Sequence, residues 1–248
     1  MSERYFATRH TVRQYSDREI TDAELTEMIE AASHAPNTGN MQWYSVVVTR
    51  DAQAKKTLAP AHFNQPQVEG ARAVLTFCVD LARFEKWCRA NKAVPGFDNF
   101  QSFIAAIIDT SLFAQQFCTI AEMRGIGTCY LGTTTYNAPQ ISEALGLPDR
   151  VVPVTTVTVG YAADDVNDAP TWRLPVEAIM HSERYEEQTA GQVNGWYAPL
   201  EAESQRFVTE NNKETLAQVF TDVRYAADAN EHFSKVYLDF LAKNKFIK

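Results

Sequence analysis

Leu25, Met28, Ile29 and Ala32 recur at the spacing that lines one face of an α-helix, and they predict a helix ending before Pro36. Thr21 and Glu24 fit a capping box at its start, and Ile20 and Leu25 are spaced as a hydrophobic staple. The pattern then changes period. YSVVVT (44–49) and AVLTFCVD (73–80) are short, β-branched and apolar, and read as strands, with a helix over AQAKKTLA between them. The longest periodic apolar stretch, residues 103–125, carries Ile104, Ile107, Ile108, Leu112, Phe113, Phe117, Ile120 and Ala121. So wide a stripe predicts a central helix packed on more than one side, closed by Gly125.

TCYLGT follows as a short strand and turn, APQISEALGL as a helix, and VVPVTTVTVGY (151–161) as an inner strand covered on both faces. RLPVEAIMH (173–181) reads as one more strand, 186–212 as a polar extended arm, and the chain from about Lys213 as an amphipathic helix. Strands separated by helices predict a layered α/β or α+β domain.

Composition narrows the function classes. The 248-residue chain carries a formal charge of -8, against a general nucleic-acid binder, which needs a broad cationic surface. No apolar run approaches the ~20 residues that span a bilayer, and MSERYFATRH has no apolar signal core, so no membrane partner and a cytoplasmic location are expected. Cys78, Cys88, Cys118 and Cys129 form no C-x-x-C pair and the five histidines are scattered, so no metal site is expected. No Rossmann, P-loop or nucleophile-elbow glycine motif is present.

Three stretches carry candidate chemistry, each with two readings. The basic residues of RHTVR (9–13) either complement the negative end of a short N-terminal helix or hold an anion, for which Arg forks and a threonine hydroxyl are suited. APNTGNMQWY (35–44) is either a connecting loop or a polar cradle. The three glycines of RGIGTCYLGTTTYN (124–137) serve either a packed helix–strand junction or the close approach of a flat ligand.

In combination and order these stretches resemble the nitroreductase family of FMN-dependent oxidoreductases. The R-R/H-S/T-x-R/K-x-F/Y opening matches Arg9 to Tyr15, the A-P-S-x-x-N-x-Q-P-W-like loop matches Ala35 to Tyr44, and the G-L/I-G-T-C-x-I/L-G segment matches Gly125 to Gly132. LGLP…VVPV…VGY and the R-L-P at Arg173 complete a likeness over residues 1 to about 185. The resemblance implies an α+β, three-layer α/β/α fold with a central mixed β-sheet, built as an intertwined homodimer. It implies an FMN-binding domain over 1–185 and a C-terminal arm and helix over 186–248. LPVEAIMH is the candidate strand for exchange between subunits.

The resemblance also assigns residues. Arg9, His10 and Thr11 belong to the cofactor-binding opening, with Arg9 and Thr11 on the FMN phosphate and Arg13 beside the N1/O2 edge, where a cation favours the anionic reduced ring. Arg173 matches a second phosphate-binding arginine, although Thr171-Trp172-Arg173 departs from the usual basic pattern. Asn64 and Gln67 match positions on the pyrimidine edge. Tyr130, Leu131, Gly132 and Thr133 line one ring face, with a backbone N–H of Gly132 or Thr133 toward N5. Pro36, Asn37, Thr38 and Asn40 form the loop that reaches the partner's flavin, with Trp43 replacing a proline. Phe97, Phe100 and Phe103 are either substrate wall or core.

The implied reaction is ping-pong. NAD(P)H gives hydride to flavin N5, and a small-molecule acceptor such as a nitroaromatic or quinone then takes it, with no catalytic side chain required. The alternatives are reductive dehalogenation, flavin fragmentation or flavin binding without turnover, and, without FMN, a module using 36–44 to bind protein.

Overall fold

A computed structural model describes residues 4–96, 99–164 and 171–247. In chain order the helices and strands are α1 (Arg4–Thr8), α2 (Asp22–Ala32), β1 (Tyr44–Thr49), α3 (Ala52–Leu58), α4 (Pro66–Gly70), β2 (Ala73–Asp80), α5 (Ala82–Ala90) and α6 (Phe100–Met123). There follow β3 (Gly127–Leu131), α7 (Ala138–Ala144), β4 (Val151–Gly160), α8 (Ala190–Glu203), α9 (Gln205–Glu210), α10 (Leu216–Val219) and α11 (Ala227–Lys243). Two compact units interleave along the chain, residues 11–168 with 233–248 and residues 1–10 with 169–232.

The larger unit is built on a sheet of order β1-β2-β4-β3. β2 is buried along its whole length because both faces are covered. Its alternation sends Leu75 and Phe77, with Val157 and Val159 of β4, into a core with Phe113, Phe117 and Ala121 of α6 and Leu25 and Met28 of α2. Val74, Cys129 and Leu131 face the other way, onto Leu58, Val68 and Ile141. This arrangement is three-layered. The capping box at Thr21 forms as expected, and Ile20 and Leu25 are both buried behind it.

Four expectations need correction. Every strand pairing among the described residues is antiparallel, not mixed: β1 and β4 run one way and β2 and β3 the other, so no two neighbours in the sheet are parallel. Pro153 is tolerated inside β4 because the register shifts opposite Phe77 and Cys78, a bulge that relieves the missing N–H.

RLPVEAIMH is not a strand: Val176–Ala178 is a 3-10 turn behind Pro175, and Val176, Ile179 and Met180 are exposed. Residues 186–212 are not an extended arm but hold α8 and α9. A capping box between Thr189 and Gln192 starts α8 and outweighs the breakers Gly191, Gly195 and Pro199 that disguise it.

Finally, α6 has the length and hydropathy of a membrane span, contrary to the expectation that no run comes close. Its apolar character has another use, since Phe103, Ala106, Phe113, Ala114, Phe117 and Ala121 are buried against the fold. The stripe read from the sequence splits accordingly, and Ile104, Ile108 and Leu112 lie exposed on another face.

Candidate functional site

The segment after His10 is fixed by two glycines far away in sequence. The Val12 N–H donates to Thr128 O at 3.1 Å, the Ser16 N–H to Tyr161 O at 2.8 Å, and Tyr15 bridges to Ala162. Tyr15 Oη lies 2.9 Å from Val12 O, 3.0 Å from Thr158 O and 2.7 Å from Thr158 Oγ1, and burial raises its pKa despite the Thr158 hydrogen bond. A Cβ on Gly127 would lie 2.5 Å from Val12 Cβ, and one on Gly160 would lie 2.7 Å from Tyr15 Cδ1. Val12 is therefore driven inward, and Arg13 beside it is exposed. Gly127→Ala should cost about 1–3 kcal/mol, because the pinned Val12 cannot retreat. Thermal melts should show no rescue by Val12→Ala, which keeps the clashing Cβ, and recovery with Val12→Gly.

Thr11 is partly exposed, and Arg13 makes no hydrogen bond or ion pair with another described residue, so a donor group and a cation stand at the surface beside β3. Arg9 and His10 belong to the smaller unit, where His10 Nδ1 lies 3.4 Å from Thr8 O. Arg173, in the same unit, is exposed and donates from Nη1 to Trp172 O at 2.8 Å and Thr171 O at 3.4 Å.

At the far end of β3, Tyr130 and Gly132 are exposed, Leu131 is buried in the core, and Thr133 is half-buried. Thr133 meets a polar group from the segment before α4: His62 Nδ1 is 2.9 Å from Thr133 Oγ1, and Gln65 Nε2 is 3.5 Å from it. Gln67 is buried and donates from Nε2 to Gln65 Oε1 at 2.7 Å. The amide nearer the surface is thus Gln65, which sequence reasoning passed over. Pro66 begins α4, so Gln67 falls inside the first turn and faces inward, while Gln65 caps it. Asn64 is exposed, and with Phe63 it forms a left-handed pair at φ 53° and 55°.

The loop at 36–42 bends through positive φ at Gly39, Asn40 and Gln42. Pro36, Thr38 and Asn40 are exposed and Asn37 half-buried, and Asn37 Oδ1 accepts the Gln42 N–H at 3.3 Å. Its anchor is Asp109 on α6, 1% exposed, whose Oδ1 accepts from Thr38 N at 2.9 Å and Thr38 Oγ1 at 3.0 Å. Burial raises the Asp109 pKa against those two hydrogen bonds, and its Oδ2 is buried with no partner among the described residues. Trp43 leaves the loop for the core, edge-on to Phe84 at 5.6 Å.

Of the three aromatics, Phe103 is core, packed 4.9 Å from Phe246, Phe100 is half exposed, and Phe97 lies outside the described residues. No group of three or more potential metal ligands exists among the described residues.

Beside β3 near Thr128 stands the guanidinium of Arg13, and past the other end of the strand lie the amide of Gln65 and the hydroxyl of Thr133, groups whose chemistry suits a ligand with an anionic group and a polar-edged ring. A Cβ on Gly132 would meet nothing of the chain itself, so the space beside it is open to a ligand.

The comparisons agree with the motifs. Residues 6–161 match the family model described as "Nitroreductase family", and the chain belongs to that family. It is 29% identical over 181 residues to an FMN reductase (NADPH) of Bacillus subtilis strain 168, covering 72% of each chain. It is 32% identical over 175 residues to a Cr(VI) reductase of Pseudomonas sp. strain G-1, covering 71% of each. A Bacteroides fragilis NCTC 9343 crystal structure described as an oxidoreductase superposes with a TM-score of 0.96 at 49% identity, covering 99% of this chain and 100% of that one.

Proposed function

We propose that the protein is an FMN-dependent NAD(P)H oxidoreductase that passes hydride through flavin N5 to a small-molecule acceptor such as a nitroaromatic or quinone. The observation that carries this reading is the clamped segment 12–16, which leaves Arg13 bare beside β3. A cation with no hydrogen bond or ion pair to another described residue is suited to an anionic ligand. The likeness to a B. subtilis FMN reductase (NADPH) supplies the cofactor's identity and the class of electron donor.

The residues divide the work by chemistry. Thr11 and Arg9 bind the phosphate, and Arg173 is available as a second cation. Arg13 stabilises negative charge on the reduced ring, Asn64 and Gln65 meet its polar edge, with Gln67 holding Gln65, and Tyr130 to Thr133 carry one face. His10 belongs to the same opening. When bound, FMN supplies the two-electron relay between nicotinamide and acceptor. The chain's contribution is binding, orientation and charge, with no general acid or base invoked.

A homodimer completes the site. Pro36, Asn37, Thr38 and Asn40, held by Asp109, serve the flavin of the second copy. Two exposed apolar surfaces support this assembly: Ile104, Ile108 and Leu112 on α6, and Val176, Ile179, Met180 and Tyr185 in the smaller unit. The division into a cofactor domain over 1–185 and a C-terminal extension over 186–248, helical rather than an extended arm in its first part, belongs to the same proposal.

The test is optical. The full chain reconstituted with FMN should be yellow, lose its visible band on anaerobic addition of NADH or NADPH, and regain it with a nitroaromatic or quinone. A yellow protein that neither coenzyme bleaches would contradict turnover, and a chain that retains no FMN would contradict the reading altogether.

A further inference from the structure

We propose that His62 is a positioning residue that makes the Thr133 hydroxyl a hydrogen-bond donor to an acceptor atom of the flavin ring. This rests on the FMN reading above, and it adds His62, for which that reading has no use, and gives the Thr133 hydroxyl a defined direction.

His62 is fully buried, with Nδ1 2.9 Å from Thr133 Oγ1 and Nε2 without a partner among the described residues. Two neutral tautomers compete. A proton on Nε2 would orphan a buried N–H, which costs about 1–3 kcal/mol. A proton on Nδ1 orphans only a lone pair and gives the N–H to Thr133, so the Nδ1–H form wins. Gln65 points its Nε2 at the same oxygen from 3.5 Å, and its own orientation is set by the Gln67 amide, whose N–H occupies Gln65 Oε1 at 2.7 Å. Thr133 Oγ1 therefore receives from both His62 and Gln65. No described residue accepts its own hydrogen, although the backbone carbonyl of Thr133 is engaged by the Asn137 N–H.

Such a hydroxyl is a donor in search of an acceptor, and Thr133 is only partly buried, next to the open space at Gly132. The ligand chemistry it fits is a carbonyl or imine-type acceptor on a flat ring. Burial pushes the His62 pKa down to about 4, with no charged neighbour contributing, so the ring stays neutral and the relay keeps one polarity at physiological pH. Ring acceptors gain electron density on reduction, so a donor aimed at one binds the reduced cofactor more tightly than the oxidised.

The experiment combines the midpoint potential of bound FMN with 15N NMR of the imidazole in the wild-type chain. Thr133→Val should lower the ratio of reduced to oxidised FMN affinity about tenfold, about 30 mV for a two-electron couple. His62→Leu should do the same, whereas Thr133→Ser and His62→Asn, whose amide N–H can replace Nδ1–H, should keep the wild-type potential. NMR should show the neutral Nδ1–H tautomer.

An Nε2–H tautomer, or a wild-type potential in Thr133→Val, overturns this inference alone. If His62→Leu does not fold, those two measurements still decide. A wild-type chain that takes up no FMN overturns the parent reading as well.

Discussion

Arg13→Ala should weaken FMN binding about 100-fold, roughly 2.7 kcal/mol, and leave the fold intact. The loss is large because charge-assisted hydrogen bonds contribute about 1.5–3 kcal/mol. Folding is spared because Arg13 makes no hydrogen bond or ion pair to another described residue, and substitutions at such surface positions usually stay within about 0.5 kcal/mol. The double variant Arg9→Ala/Arg13→Ala should abolish retention of the flavin through purification.

A control separates a local contact from bulk charge. The Arg206 side chain is 91% exposed and, among the described residues, pairs with Glu210 one turn on, and Arg206→Ala changes the net charge equally. It should leave the affinity unchanged. Equal weakening by both variants would reduce the Arg13 effect to nonspecific electrostatics. Fluorescence titration with FMN reads the affinities, and far-UV circular dichroism reads the fold.

Arg150→Ala should destabilise the larger unit by about 3 kcal/mol or more. Arg150 is nearly buried and joins three parts of the chain. Its backbone N–H donates to Asn244 Oδ1 at 3.0 Å, its Nε to Glu85 Oε1 at 2.7 Å, and its Nη1 to the carbonyls of Asn244 and Lys245 at 3.2 and 3.3 Å. The guanidinium also lies 4.2 Å from the centre of the Phe246 ring, a fully buried side chain. Truncation strands the Glu85 carboxylate and two carbonyls together, and leaving groups unpaired is what makes breaking such a pair costly.

Arg150→Lys should recover only part of the loss, because an ammonium cannot span Glu85 and the C-terminal carbonyls as a planar fork does. Urea unfolding should show the midpoint drop, and hydrogen exchange should show lost protection in 244–247. A wild-type midpoint would mean that the C-terminal turn is held by packing alone.

What was legible in the sequence was what is local in the sequence. Residues 44–49 and 73–80 are strands as expected, because a β-branched run bounded by turn formers has few alternatives. The Thr21 box forms because its partners are three residues apart. The three stretches that carry the family likeness are legible for the same reason, each being a short contiguous signature.

The failures lie where a tertiary partner decides. The pairing of Gly160 with Tyr15 joins residues from opposite ends of the larger unit, and no window along the chain contains both. Asp109 reads as a polar interruption of an apolar helix until Thr38 is seen donating to it. That Gln65 lies nearer the surface than Gln67 follows from Pro66, which begins α4 and leaves Gln67 buried in its first turn. α8 was hidden because its cap is strong while its interior carries Gly191, Gly195 and Pro199.

The central claim is that this chain grips FMN through Arg13 and the β3 turn. Titration of the flavin-free full chain with FMN, followed by quenching of flavin fluorescence, tests it most directly. Saturation at one FMN per chain, weakened about 100-fold by Arg13→Ala, is the result predicted. The absence of saturable quenching in the wild type, or an affinity indifferent to Arg13, would contradict it.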